Sequence, residues 1–259
     1  MRNPVKFFIY HALFFTALII QDTHVSKSFF GEESPYIYYI ALCLLFTSIT
    51  CFSGVITNPG IVEENCETTP FFCTSCQCRI PVRAFHCETC RKCIRRRLHH
   101  SEWADQCVGL ETQLYYFMFL ASEFFFLLFS IIEIIVSLCS FHQIQSENRI
   151  FGWISNYFLL LIFFPFLVFY LIQVFILFIQ HAFILLTNGN VLGVKKRFGI
   201  MILILQKKER NPFDLHLLDL NANQVFFHVN NRVWEVPNTP EMKDYISDIH
   251  QCGIDYISE

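Results

Sequence analysis

The sequence predicts an all-α membrane protein: four transmembrane helices, with a cysteine-rich loop between the second and the third. Three observations lead there. Of the 259 residues, 54% are hydrophobic and 31 are Phe, and the mean hydropathy is positive, a composition foreign to soluble domains. Long uncharged runs recur, and residues 151–186 contain no Asp, Glu, Lys or Arg. Between the second and third runs, residues 73–107 concentrate cysteine and histidine. The net charge of −3 says little, because the cations are segregated by loop.

Residues 5–21 are the first apolar run. A signal peptide is the rival reading, with Arg2 and Lys6 as its basic end, but no small-x-small cleavage site follows at residues 21–23. Either way the next segment enters the membrane from the lumenal side. Residues 22–35 form a short polar loop with Glu32, Glu33 and Lys27. The second span, residues 36–57, is 22 residues without charge, enough for a hydrocarbon core of roughly 30 Å. Asn58-Pro59-Gly60 ends it with breaker chemistry.

A third span is expected at about 114–138. Its Glu123 and Glu133 are costly in lipid, so they should face the bundle or a polar cavity, with the lumenal interface an equal alternative for Glu133. Residues 140–150 form a short lumenal loop. The 36 residues from 151 to 186 would make a helix of about 54 Å, far longer than one span needs. Splitting the run at Pro165 would put Lys195-Lys196-Arg197 in the lumen, against the positive-inside rule. One long helix, kinked near Pro165, is the expectation.

This arrangement puts Arg2 and Lys6, the loop cations Arg79, Arg83, Arg91, Lys92 and Arg95–Arg97, and the basic cluster from Lys195 to Arg210 on one side. The other side carries only Lys27 and Arg149. Both termini and the cysteine-rich loop are therefore cytosolic. The expected divisions are residues 1–57, two spans and a lumenal loop; 58–112, the cysteine-rich domain; 113–190, two further spans; and 191–259, a cytosolic tail. No internal repeat or low-complexity tract is evident.

Cys73, Cys76, His86, Cys87, Cys90, Cys93, His99, His100 and Cys107 supply more than enough soft ligands for two tetrahedral zinc sites. Cys73/Cys76 and Cys87/Cys90 have the C-x2-C spacing that lets two thiolates on one turn meet one ion. Disulfides are the alternative, and a cytosolic loop disfavours them.

This stretch resembles the cysteine-rich domain of the DHHC-type protein S-palmitoyltransferases. That family's pattern is C-x2-C-x9-H-C-x2-C-x2-C-x4-D-H-H-C-P-W-x3-C-x-G. The spacing matches from Cys73 through Leu98-His99-His100-Ser101-Glu102-Trp103 to Cys107 and Gly109. The resemblance implies two structural zinc ions, one on Cys73, Cys76, His86 and Cys93, the other on Cys87, Cys90, His100 and Cys107. In the family the Cys of D-H-H-C carries an acyl group from palmitoyl-CoA or another acyl-CoA to a substrate cysteine. The preceding His, here His99, acts as base, and the Asp orients it. Here the acyl-carrying Cys is Ser101 and the acid is Leu98.

Other family motifs are similar but altered. Asn58-Pro59-Gly60 stands for D-P-G, Leu186-Thr187-Asn188-Gly189 for T-T-x-E, and Gln106 for an Asn; Asn211-Pro212-Phe213-Asp214-Leu215 and Asn221 resemble the C-terminal segment. A run such as Arg95-Arg96-Arg97 beside a membrane usually meets solvent or anionic lipid; the resemblance adds the CoA phosphates. Expected partners are membrane lipid and substrate proteins or an active relative, not nucleic acid, in the endoplasmic reticulum or Golgi. The alterations imply a family member without catalysis; an active acyltransferase using Ser101 or Cys78 is the alternative.

Overall fold

The computed structural model describes residues 5, 8, 9, 11, 35–62, 71–81, 84–139 and 149–186. Outside them lie the rest of the first apolar run, the polar loop after it, Arg83, Thr187-Asn188-Gly189, the Lys195–Arg210 cluster and the C-terminal motif. Nothing is described of the Glu133 side chain.

Among the described residues, helices with defined bounds are α1 at Pro35–Val55, α2 at Gln113–Cys139 and α3 at Arg149–Leu186. Their ends lie within two residues of the expected second, third and fourth runs. Among the described residues, Gln113–Ile132 and Phe164–Leu185 are long and apolar enough to cross a membrane, and Leu42–Val55 is a shorter apolar stretch. Helix α3 is one element of 38 residues containing Pro165, about 57 Å long at 1.5 Å per residue. Its length matches the single-helix expectation.

The helices bury stripes at helical spacing. In α1, Leu45, Ser48, Phe52 and Val55 are buried, and in α2 Tyr116, Phe119, Leu120, Glu123, Phe126 and Leu127 are. Their outer faces are no more polar. Phe46, Phe125, Phe166 and Phe169 are all more than half exposed. A helix of a water-soluble fold would carry charge there; these outer faces suit hydrocarbon.

The chain divides into two compact units, Met1–Cys51 with Met118–Phe178, and Phe52–Phe117 with Ile179–Glu259. The first is helical where described. The second holds the cysteine-rich segment, and here the all-α expectation needs correcting. The segment is β: three antiparallel hairpins, β1 (Phe71–Cys73) with β2 (Cys78–Ile80), β3 (Phe85–Cys87) with β4 (Lys92–Ile94), and β5 (His99–Ser101) with β6 (Gln106–Val108).

The hairpins also correct the reading that no repeat is present. Each has three-residue strands around a four-residue turn, and equivalent positions recur every 14 residues (71, 85, 99). Phe71, Phe85 and His99 correspond, as do Cys73, Cys87 and Ser101, Cys76, Cys90 and Ala104, and Ile80, Ile94 and Val108. The turn is the same device each time. The last turn residue, Gln77, Arg91 or Asp105, takes a left-handed φ of 54°, 54° or 52°. The residue before each turn is joined to the third turn residue through its side chain: Cys73 Sγ accepts the Cys76 N–H at 3.4 Å, Cys87 Sγ the Cys90 N–H at 3.5 Å, and Ser101 Oγ the Ala104 N–H at 3.4 Å.

Backbone pairing ties the hairpins to the chain before and after them. Asn58 Oδ1 accepts the Gly60 and Ile61 N–H groups at 3.0 and 3.2 Å, closing a turn that brings Ile61 beside Ile94. Arg95 N–H then donates to Gly60 C=O, and Leu110 N–H to Arg95 C=O. Gln106 reaches back with its amide to the Thr57 carbonyl. Gly109 sits where these strands converge. A Cβ there would lie 2.3 Å from the Pro59 carbonyl oxygen and 2.5 Å from an Ile94 methyl, so only glycine lets the chains approach.

Candidate metal centres and the third hairpin

All eight residues assigned to zinc by resemblance fall into two groups, Cys73, Cys76, His86 and Cys93, and Cys87, Cys90, His100 and Cys107. Within each group the ligand atoms lie within 4.8 Å of one another. The partition follows from strand geometry. His86 and Cys93 are directly opposed on the second hairpin, and His100 and Cys107 on the third. Successive strand residues point to opposite faces, so the second hairpin turns His86 and Cys93 one way and Cys87 the other. Each centre therefore combines the C-x2-C turn of one hairpin with the opposed His/Cys pair of the next.

The separations fit one ion per group. Tetrahedral zinc with Zn–S of about 2.3 Å and Zn–N of about 2.0–2.1 Å spaces its ligands roughly 3.6–3.8 Å apart. In the first group Cys76 Sγ is 3.1 Å and Cys93 Sγ 3.8 Å from His86 Nδ1. In the second, His100 Nδ1 is 3.8, 3.4 and 3.8 Å from the sulfurs of Cys87, Cys90 and Cys107, and Cys90 and Cys107 are 3.6 Å apart. His99 joins neither group.

The electrostatics call for a cation. Burial, then the neighbouring thiols of Cys73 and Cys76, pushes the Cys93 thiol far up. Burial and the Cys87 thiol do the same to Cys107, with Arg97 in partial opposition. Burial also works against ionising Cys73 and Cys87, but the Cys76 and Cys90 amides and other donors outweigh it and hold both thiols below the ordinary value. Each group thus favours one thiolate and resists the next. A shared divalent ion removes the conflict, since a coordinating thiol is deprotonated outright.

The third hairpin lacks the thiols of its turn. Ser101 and Ala104 are buried, with 4% and 2% of their surfaces exposed, and so is Leu98. Beyond the Ala104 amide, Ser101 hydrogen-bonds to the Tyr116 side chain. His99, two residues before Ser101 and on the same strand face, has its ring against Tyr116 and His181, with centroids 5.1 and 5.4 Å away.

Arg95, Arg96 and Arg97 do not form an open cationic face. Arg96 is 7% exposed and has a left-handed φ of 49°. Arg97 stands close enough to lower the Cys87 and Cys107 thiols.

Residues 66–192 match the family model described as DHHC palmitoyltransferase. The chain carries a DHHC palmitoyltransferase domain. It matches no curated protein at a significant level. The family is one of membrane proteins, and its domain here spans the three hairpins, α2 and α3. At its signature positions the DHHC domain of this chain has Leu98-His99-His100-Ser101.

In the helical unit, Glu123 bears out the expectation that it turns away from lipid. It is wholly buried; Oε1 is 2.6 Å from His11 Nε2, and Oε2 accepts the Ser48 hydroxyl at 2.5 Å. Sequence reasoning missed both partners. Their only signal was polarity inside apolar runs, which many helical Ser and His residues share.

Proposed function

We propose that this chain is a four-span member of the palmitoyltransferase family that keeps the zinc-built scaffold and does not transfer acyl groups. The observation that carries the reading is Ser101. Its hydroxyl is buried and engaged by the Ala104 amide and Tyr116. A serine hydroxyl is far less nucleophilic than a thiolate unless an oriented base serves it. Leu98 has no carboxylate with which to orient His99, and loss of the orienting acid cost roughly 10⁴ in kcat in a serine protease. Energetics point the same way: acyl transfer from thioester to serine runs downhill, and onward transfer to a thiol runs uphill. An acyl-Ser101 would be an end product.

Zinc in the two clusters would be structural, since four protein ligands leave no open position for water. Cys73, Cys76, His86 and Cys93 would hold one ion, and Cys87, Cys90, His100 and Cys107 the other. They would fix the three hairpins, which are too short to be stable alone. The organisation that best fits the charge pattern has residues 58–112 and both termini in the cytosol, with spans in 1–57 and 113–190 and a tail at 191–259. Acyl-CoA, with the half-buried Arg95 and Arg97 rather than the buried Arg96 near its phosphates, and a substrate protein or active relative are the partners this role implies. The membrane is that of the endoplasmic reticulum or Golgi.

The test is incubation of the purified chain with labelled palmitoyl-CoA, followed by hydroxylamine. No label above background is expected. Hydroxylamine-sensitive label would make a cysteine the carrier and Cys78 the first suspect; resistant label would make Ser101 an acceptor. Either would overturn the reading.

A further inference from the structure

His99 has lost the acid that would orient it, yet its ring is held. It packs against Tyr116, in the first turns of α2, and against His181, near the end of α3, and the three rings meet in a triangle. Tyr116 and His181 are both 4% exposed. Tyr116 meets His99 at 69° between ring planes, and His181 meets it at 64°; the two are themselves 4.8 Å apart at 56°. The two contacts of His99 are edge-to-face, a favoured geometry for aromatic pairs. Tyr116 is itself anchored, because its amide donates to Thr112 C=O at 3.0 Å and the Thr112 hydroxyl accepts the Gly109 N–H at 3.1 Å. The third hairpin and the start of α2 are thereby linked through Gly109, where a Cβ would meet backbone.

We propose that Tyr116 and His181 are positioning residues: their paired rings support the His99 imidazole beside position 101 by ring packing, in place of the carboxylate that Leu98 cannot supply. Tyr116 also hydrogen-bonds Ser101 itself, so the test is made on His181, which acts through the His99 ring. This assignment rests on the reading of the third hairpin as a family centre that has lost nucleophile and acid, and it adds that the base kept its place. The sequence alone hides this, because His181 is a lone histidine in an apolar helix.

The test uses a thiol at position 101 and a reaction that needs no acyl cavity, so it stands apart from whether the chain transfers acyl groups. In Ser101→Cys, iodoacetamide alkylation forms the S–C bond, expels iodide and passes the thiol proton to His99. Zinc content is measured for each variant as the check on folding. Adding His99→Ala should slow alkylation at fixed pH by about tenfold or more, below the roughly 10²–10⁴-fold of a positioned base because a free thiol is already a few per cent thiolate near neutral pH. His181→Phe, which keeps a ring, should retain most of the Ser101→Cys rate. His181→Gln, which keeps polarity and loses the ring, should fall towards the His99→Ala level. His99→Ala combined with His181→Gln should be no slower than His99→Ala alone, since residues acting as one unit are not additive. An unchanged rate in His181→Gln, a fall in His181→Phe, or a further loss in the combined variant would each overturn the proposal.

Discussion

Replacing Cys76 by Ala should cost the protein one zinc and leave the other. Cys76 contributes only to the first centre, whereas the second is built from Cys87, Cys90, His100 and Cys107 on the next two hairpins. Structural zinc sites bind with apparent free energies of about 10–16 kcal/mol. If the four ligands share this evenly, losing one removes about 2.5–4 kcal/mol, a weakening of roughly 100- to 1000-fold. A competing chelator of intermediate affinity then separates the two centres. Dialysed against it and assayed by elemental analysis, the parent should hold about two zinc per chain and Cys76→Ala about one, with Cys90→Ala the mirror case. Cys78 needs a control, because it is directly opposed to Cys73 and packs on the same cluster. Cys78→Ala should keep about two zinc. If Cys76→Ala/Cys78→Ala still held two, the partition of ligands between hairpins would be wrong.

Three further outcomes are expected. Tags at residues 66 and 259 should be open to protease in sealed vesicles and one near residue 146 protected; protection of the residue-66 tag would reverse the orientation. Glu123→Ala should lower the thermal midpoint in detergent by the equivalent of about 1–4 kcal/mol, between the averages for helix–helix bonds in membranes and for broken buried pairs, and an unchanged midpoint would remove its role in joining His11 and Ser48. Ser101→Cys should gain weak hydroxylamine-sensitive acylation from palmitoyl-CoA, and adding Leu98→Asp should raise it by more than the separate effects combined. A zinc-replete Leu98→Asp/Ser101→Cys/Glu102→Pro chain that takes no acyl group would mean that the acyl-binding site is lost as well.

The zinc ligands were legible because their chemistry is local: a C-x2-C turn must bring two thiols together, and only soft donors occur at those spacings. Hydropathy and charge likewise set the bounds of α1, α2 and α3. The hairpin repeat was hidden for a physical reason. Its defining residues, Gln77, Arg91 and Asp105, adopt left-handed backbone without the Gly or Asn that would announce it. The third copy has exchanged both turn cysteines for Ser101 and Ala104. Contacts such as His11 with Glu123, 112 residues apart, or His99 with His181, depend on tertiary packing that no local pattern encodes.

The repeat explains how position 101 can hold serine without cost to the fold. The first and second hairpin turns are committed, since each places two sulfurs on a zinc centre and loss of one should release the ion. The third hairpin contributes His100 and Cys107 to the centre behind it, and among the described residues no fourth hairpin supplies an opposed His/Cys pair ahead of it. With Ser101 and Ala104 in place of the two cysteines, its turn offers no sulfur to an ion. What the turn does require is an acceptor on the residue before it for the amide of its third residue, and the Ser101 hydroxyl meets that need at 3.4 Å, as Cys73 and Cys87 do with sulfur. A reactive thiol at this position is thus an addition to a hairpin that closes equally well with serine. The residues that would serve only the chemistry, at positions 98 and 101, are free to change, while His100 and Cys107 between and beyond them are not.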